Sequence, residues 1–80
     1  MNDIECGQNA DFLSIALEEF EHENYEMVAD FVSDVCINLA DEEEVLAQEL
    51  QMSIDKLNES EFAESKELIE GVYEQLLEEL

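Results

Sequence analysis

Carboxylates are the side chains that this sequence supplies in greatest excess. Its 80 residues include 24 Asp and Glu against two Lys, and the formal net charge at pH 7 is -22. A pair such as Glu18 and Glu19 could act as general acid and base only where a pocket withdraws one carboxyl from water. We expect an open helical surface without such a pocket, and therefore predict that the chain is not an enzyme.

Two groups of residues invite interpretation as a metal site. The acidic run at 41–44 lacks the alternating ligands and the glycine of an EF-hand loop. A helix-capping box explains that run better, because an Asp is followed three residues later by a Glu. His22, Cys6 and Cys36 fit no zinc spacing. We therefore expect no metal and no cofactor, with Cys36 packed in the core and Cys6 exposed in a tail, where it could cross-link two chains.

Carboxylates at helical spacing can also form a charged contact surface. Steps of three or four residues place neighbouring carboxylates ~5–6 Å apart, where each like-charge pair destabilises the helix by ~0.2–0.5 kcal/mol. On the fourth predicted helix, only Lys66 could relieve this repulsion, by pairing with Glu70. We expect two such ladders to bind a positively charged partner. They comprise Glu26, Asp30 and Asp34 on the second predicted helix, and Glu64, Glu67, Glu70, Glu74 and Glu78 on the fourth.

Four helices are predicted to position these ladders, in an all-α fold. The chain has no proline and two glycines, and its apolar residues recur every three or four positions. Residues 1–8 show no periodicity and are predicted to be a short tail before a single helical domain at 9–80. The predicted capping residues of the four helices are, in order, Asn9, Asn24, Asp41, and Asn58 or Ser60.

The two halves of the domain, about 9–40 and 41–80, align at a spacing of 37 residues. Eight apolar pairs fall in this register, which predicts two similar antiparallel helical hairpins. Duplication and coincidence explain the register equally well. The pairs are Leu13 and Leu50, Leu17 and Ile54, Phe20 and Leu57, Tyr25 and Phe62, Phe31 and Leu68, Val32 and Ile69, Val35 and Val72, and Leu39 and Leu76.

The first hairpin resembles a tetratricopeptide repeat over about residues 13–40. The residues that carry the resemblance are Ala16-Leu17-Glu18-Glu19-Phe20, Asn24-Tyr25-Glu26, Ala29 and Phe31. The second copy is weaker, because Ser65 and Lys66 stand where a small alanine is typical. The resemblance implies a stacked helical scaffold that binds proteins. Two stacked hairpins leave apolar faces open, so we expect a homodimer. Gly71, mid-helix at a cost of ~1 kcal/mol, predicts a close helix or subunit contact there, beside Val72 and Leu76.

Three interpretations of the acidity remain open. In size, acidity and lack of catalytic residues, the chain resembles phage-encoded DNA-mimic inhibitors of the anti-restriction and anti-CRISPR type. That resemblance implies antagonism of a host defence or regulatory protein through its basic, nucleic-acid-binding surface. Alternatively, the chain is a small acidic chaperone or adaptor that holds a partner segment in an apolar groove between hairpins, using exposed residues such as Tyr73 or Leu77. In the third interpretation, the acidic faces only keep the protein solvated.

The remaining expectations concern location. No apolar run approaches the ~18 residues of a membrane span, and no basic region opens the chain as in a secretory signal. So large a negative charge should repel nucleic acid and anionic membranes. Two cysteines form no disulfide framework. We therefore expect a cytoplasmic protein that binds neither nucleic acid nor membranes directly.

Overall fold

Four α-helices make up most of the chain. The computed structural model describes residues 2–80. In it, α1 spans Asp3–Glu21, α2 spans Tyr25–Leu39, α3 spans Glu44–Asn58 and α4 spans Phe62–Glu78. No strand occurs within the described residues. The all-helical class and the four helices that the periodicity predicted are therefore confirmed.

The first helix begins seven residues earlier than predicted, so the expected tail at 1–8 is wrong over its described part. Asn2 is the N-cap, and its side-chain oxygen accepts a hydrogen bond of 2.8 Å from the backbone N–H of Glu5. Asn9 is not a cap. It is buried in mid-helix, and its Oδ1 accepts a hydrogen bond from Asn38 of α2. The prediction failed because Cys6, Asn9 and Ala10 extend the buried stripe without being strongly apolar.

The helices close into a ring around one core. α1 packs against α2 and α4, and α3 packs against the same two helices. Neighbouring helices run in opposite directions: the Cys6 thiol near the start of α1 bonds the Leu76 carbonyl near the end of α4. At the other end of the same pair, Lys66 contacts Glu21. The resulting bundle measures 33 × 21 × 18 Å.

Most of the predicted apolar stripe is buried. The α2 stripe is confirmed at Val28, Val32, Val35 and Leu39, all of which are fully enclosed. Two large apolar residues lie outside the core: Val45 is 68% exposed and Leu80 is 59% exposed. Val45 points away because the α3 core face runs through its neighbour Leu46 and then Leu50, four residues later. Leu80 follows the last turn of α4.

Two serines occupy the core between α3 and α4. Ser53 and Ser65 are almost completely buried. The Ser65 hydroxyl donates to the Ser53 carbonyl at 2.7 Å, and the Ser53 hydroxyl donates to the Leu50 carbonyl at 2.6 Å. Satisfied hydroxyls can be buried at little cost. Small side chains at both positions let the two helix backbones approach.

Asn24 holds the N-cap position of α2, as predicted, but its side chain makes no capping hydrogen bond and instead donates to the Glu19 carboxylate at 2.8 Å. The predicted cap of α3 is wrong. Asp41 lies three residues before the first residue of α3, Glu44, so the capping box does not form. The N-cap position of α3 belongs to Glu43, whose side chain makes no capping bond.

The turns after α1 and α3 share one geometry, the Schellman motif. Each contains an L-residue in the left-handed region, with φ of 58° at Glu23 and 63° at Ser60. Ser60 was one of two predicted caps of the fourth helix; the other, Asn58, is the last residue of α3. The hydrogen bonds of the two motifs run from the N–H of Glu23 to Phe20, Asn24 to Glu19, Ser60 to Leu57 and Glu61 to Lys56.

Positions 37 residues apart are structurally equivalent. All eight predicted apolar pairs match in burial: five pairs are buried and three are partly buried. The two left-handed residues, Glu23 and Ser60, are also 37 apart. Tyr25 and Phe62, another such pair, stack on each other with ring centroids 4.2 Å apart. The register therefore describes an approximate internal two-fold relation between the halves.

Residues 2–80 do not leave open the apolar faces from which a dimer was predicted. Because α4 packs back against α1, the chain covers the apolar faces that an open stack of hairpins would leave exposed. Val72 and Leu76 are fully buried within the chain, so they cannot contact a second subunit. The predicted close contact at Gly71 is also wrong within the chain, since a Cβ built there meets nothing within 4 Å.

Candidate functional site

The carboxylates lie on the outside of the bundle. None of the 24 acidic side chains is buried; 20 are exposed and four are partly buried. The four are Glu19, Glu43, Glu49 and Glu70. All eight residues of the two predicted ladders are therefore accessible to a partner.

The structure does not bring the two ladders together on one face. α2 and α4 each pack between α1 and α3, so they lie across the bundle from one another. Glu26, Asp30 and Asp34 are exposed on the side of α2 away from its buried stripe. A single flat partner surface can therefore meet the α2 ladder or the α4 ladder, but not both.

The α4 ladder is itself divided between two grooves. Glu70 and Glu74 line a groove between α4 and α1. Glu64 and Glu67 line another between α4 and α3, beside Lys56. The helical spacing predicted one row, but steps of three and four drift around the helix axis and reach both neighbouring helices.

The two lysines join helices. Lys66 Nζ lies 2.8 Å from Glu21 Oε1 of α1, so its predicted pairing with Glu70 gives way to a bridge between helices. Lys56 Nζ lies 3.0 Å from Glu61 and 3.3 Å from Glu64. Hydrogen bonding to these carboxylates raises the pKa of both lysines, and the Lys66 contact lowers the pKa of Glu21. Neither lysine is left to attract an anion.

The groove between α1 and α4 combines an apolar floor with an acidic rim. Its volume is about 540 Å³. The floor consists of Leu17, Tyr73 and Leu77. Of these, Leu77 is 46% exposed, whereas Tyr73 is half-buried against the core and is less exposed than predicted. The rim carboxylates are Glu18, Glu21, Glu70 and Glu74, with Lys66 beside Glu21.

A carboxyl pair lies at the end of the bundle where α3 begins and α4 ends. Hydrogen bonding to Glu43, with smaller contributions from desolvation and the Glu43 charge, raises the pKa of Glu79. A hydrogen bond between the two carboxyl groups exists only while one of them carries a proton. This contact places two acidic side chains directly against each other.

The cysteines are structural. Cys6 is 3% exposed and donates to the Leu76 carbonyl, so the expectation of an exposed cross-linking thiol is wrong. Cys36 is half-buried, as predicted, and donates to the Ala47 carbonyl. Burial raises the pKa of both thiols, and nearby carboxylates raise that of Cys6 further. Thiols held in the neutral form are poor nucleophiles and poor metal ligands.

No chemistry converges elsewhere on the described surface. Within residues 2–80, no group of three or more His, Cys, Asp or Glu side chains is placed to hold a metal ion. Tyr25 and Phe62 stack on each other, and both contact Phe20 in an edge-on arrangement. One face of each ring is therefore covered by the other ring.

The chaperone interpretation placed Tyr73 and Leu77 in an apolar groove between hairpins, but sequence reasoning missed the acidic rim of that groove and the part that α1 contributes. The ladders were predicted one helix at a time, whereas the groove takes Leu17, Glu18 and Glu21 from α1. One signal was available, because Lys66 and Tyr73 interrupt the acidic spacing on the same side of α4 as Glu70.

Comparison with protein-family models, curated proteins and solved structures finds no match to this chain. Among the described residues, no helix is both long and apolar enough to cross a membrane.

Proposed function

We propose that this chain is a non-enzymatic inhibitor that binds the basic surface of a nucleic-acid-handling protein and competes there with the nucleic acid. The observation that carries the proposal is the charge per unit length of the bundle. Dividing 33 Å by 22 net charges gives one negative charge per about 1.5 Å. Duplex DNA carries one per ~1.7 Å of its axis.

The distribution of that charge supports the same function. The carboxylates surround a folded bundle, so their positions are held by the helices, as phosphates are held by a duplex. Rows of Lys and Arg that grip phosphates can form charge-assisted, bidentate hydrogen bonds with carboxylates. Dimerisation is not needed for this function, because one bundle already has the charge density of a duplex.

Stability does not account for the excess. Acidic residues in the first turn of a helix are favourable, but α1, α2 and α4 have no basic residue in their last turn. The like-charge steps along α2 and α4 are unfavourable as well. A sequence shaped by folding alone would carry a mixture of both signs.

Capture from a cell lysate tests the proposal. The immobilised chain is exposed to lysate at low salt, and bound proteins are eluted with a salt gradient or with duplex DNA. Two charge-reversed variants accompany it: Glu64→Lys, Glu67→Lys, Glu70→Lys on α4, and Glu26→Lys, Asp30→Lys, Asp34→Lys on α2. Both change the net charge equally, on opposite sides of the bundle.

We expect capture of a nucleic-acid-handling protein that duplex DNA displaces, that moderate salt releases, and that one variant loses while the other retains. Equal loss with both variants, at the same net charge, would indicate unspecific attraction. A partner retained through high salt and untouched by DNA would indicate the chaperone or adaptor function instead.

A further inference from the structure

We infer that the groove between α1 and α4 is the docking site for a cationic amphipathic helix of the partner, one with apolar side chains flanked by Lys or Arg. The inference rests on the proposed function and adds to it the place and chemistry of the contact. It combines two features that open carboxylate ladders lack: a partly exposed apolar floor and acidic groups on both sides of it.

The floor and rim match the two faces of such a helix. Along α4 the groove extends from Lys66 to Leu77, about 16 Å at 1.5 Å per residue, or three helical turns. Leu17 and Leu77 would cover apolar side chains at positions i, i+3 or i+4, and i+7 of the ligand. Glu18 on one side and Glu70 and Glu74 on the other would meet its flanking cations.

The internal two-fold relation provides a comparison within the same molecule. The α2–α3 interface is equivalent to the α4–α1 interface, and positions 37 apart match in burial. On the equivalent face, Glu70, Tyr73, Glu74 and Leu77 are replaced by Ser33, Cys36, Ile37 and Ala40, and Glu21 by Asn58. Glu18 is matched by another acid, Asp55. Packing of two such helices therefore does not require Glu70, Glu74, Tyr73 or Leu77.

Charge complementarity selects the ligand. The rim has four carboxylates and one lysine, and Lys66 is engaged by Glu21 at 2.8 Å. The three remaining carboxylates would repel an acidic or phosphate-bearing ligand. A purely apolar helix would place no cation opposite these three carboxylates. A second copy of this chain is excluded by the same repulsion, since its helices are acidic throughout.

Titration with a synthetic helix tests the inference. The probe is an 18-residue peptide of Leu and Lys with Leu at i, i+3, i+4 and i+7, and its control is a scrambled peptide of identical composition. Affinities are measured by calorimetry in about 0.15 M salt, where the Debye length is ~8 Å. Backbone amide chemical shifts are mapped in parallel.

Four variants locate the site. Glu70→Gln with Glu74→Gln neutralises the rim, and Asp30→Asn with Asp34→Asn removes the same charge from α2. Leu77→Ser alters the floor, and Ile37→Ser changes a residue that is 69% exposed on the equivalent face. All six substituted positions are partly or fully exposed, so circular dichroism should show an unchanged fold.

We expect the amphipathic peptide to bind at least tenfold more tightly than the scrambled one. The rim and floor variants should each weaken it about tenfold and the two controls less than twofold, with shifted amides near Leu17 and Tyr73. Equal binding of both peptides, or equal weakening by the two charge variants, would overturn the proposed docking site in the groove. Either result would leave the proposed inhibitor function unaffected. Failure to bind the amphipathic peptide would also overturn it, whatever the lysate capture shows.

Discussion

Residue scale: Glu23 and Ser60 adopt a backbone that usually belongs to glycine. At a Schellman C-terminus the left-handed residue is commonly Gly, because an L side chain there costs roughly 1–2 kcal/mol. Both turns nevertheless form, since the hydrogen bonds of the motif and the packing of the helices on either side hold them. The chain therefore stores strain at two equivalent points.

Replacement of Ser60 by Gly should relieve this strain. Glycine also gains freedom in the unfolded chain, which offsets part of the benefit. We expect Ser60→Gly to raise the free energy of unfolding by about 0.5–1 kcal/mol, measured by urea denaturation. The matched control is Ser14→Gly, at an exposed position within α1, which should lower stability by about 0.5 kcal/mol. Loss of stability in both variants would show that the Ser60 turn is not strained.

Individual caps and turns were the part of this fold least accessible from the sequence. Asp41 is a residue type that favours capping, but α3 begins three residues later, and Asn24 precedes α2 without a side-chain capping bond. The Schellman turns had no Gly to mark them. Asn2 caps α1 in the expected manner, yet it was overlooked because the next residues lack strong apolar periodicity. Such features depend on tertiary contacts that outweigh local preferences.

Element scale: helix number, type and core face follow from the spacing of apolar residues. The α2 stripe was predicted correctly because four Val and Leu residues lie at steps of three and four. The predicted pairs 37 residues apart also match in burial, and the turn residues Glu23 and Ser60 match in backbone conformation. What spacing alone did not give is that α4 also packs back against α1. That arrangement creates the groove between α1 and α4 and separates the ladders.

Gly71 weakens α4 without a packing reason within the chain. It lies on the helix surface, and a Cβ at this position meets nothing within 4 Å. We expect Gly71→Ala to stabilise the protein by about 1 kcal/mol, because Ala is the better helix former by that amount. Thermal unfolding should show a rise of roughly 4–8 °C for a domain of this size.

Gly7 offers a parallel test in α1, since its built Cβ also meets nothing within 4 Å. Gly7→Ala should raise stability by a similar amount. If Gly7→Ala stabilises the chain and Gly71→Ala instead lowers its mass in sedimentation experiments, Gly71 lies at a subunit contact. A contact between subunits would then explain why a glycine lies in the middle of α4.

Whole-molecule scale: the net charge opposes the compact state. With 22 net negative charges on a bundle 33 Å long, folding brings carboxylates closer together than they are in the extended chain. The three contacts of Lys56 and Lys66 with carboxylates relieve this only locally. The molecule is therefore less stable than its well-filled core would allow, and the deficit should depend on ionic strength.

Salt should stabilise this protein by screening that repulsion. The Debye length falls from ~30 Å at 0.01 M to ~10 Å at 0.1 M and ~3 Å at 1 M, so most of the repulsion is removed by about 0.5 M. Each like-charge step along α2 and α4 contributes ~0.2–0.5 kcal/mol. The six steps of the two ladders together predict a gain of about 1–3 kcal/mol, equivalent to a rise of roughly 5–24 °C in Tm. Scanning calorimetry from 0.01 to 0.5 M NaCl would measure it.

The form of the salt dependence identifies its cause. Screening saturates as the Debye length falls below the spacing of the carboxylates, whereas general salting-out continues to increase with concentration. A variant with Glu26→Gln, Asp30→Asn and Glu67→Gln should be more stable at low salt and gain less from NaCl. If its Tm and salt response equal those of the parent, the carboxylates do not oppose folding. The main argument that this charge is maintained for binding would then fail, even though its density along the bundle matches that of duplex DNA.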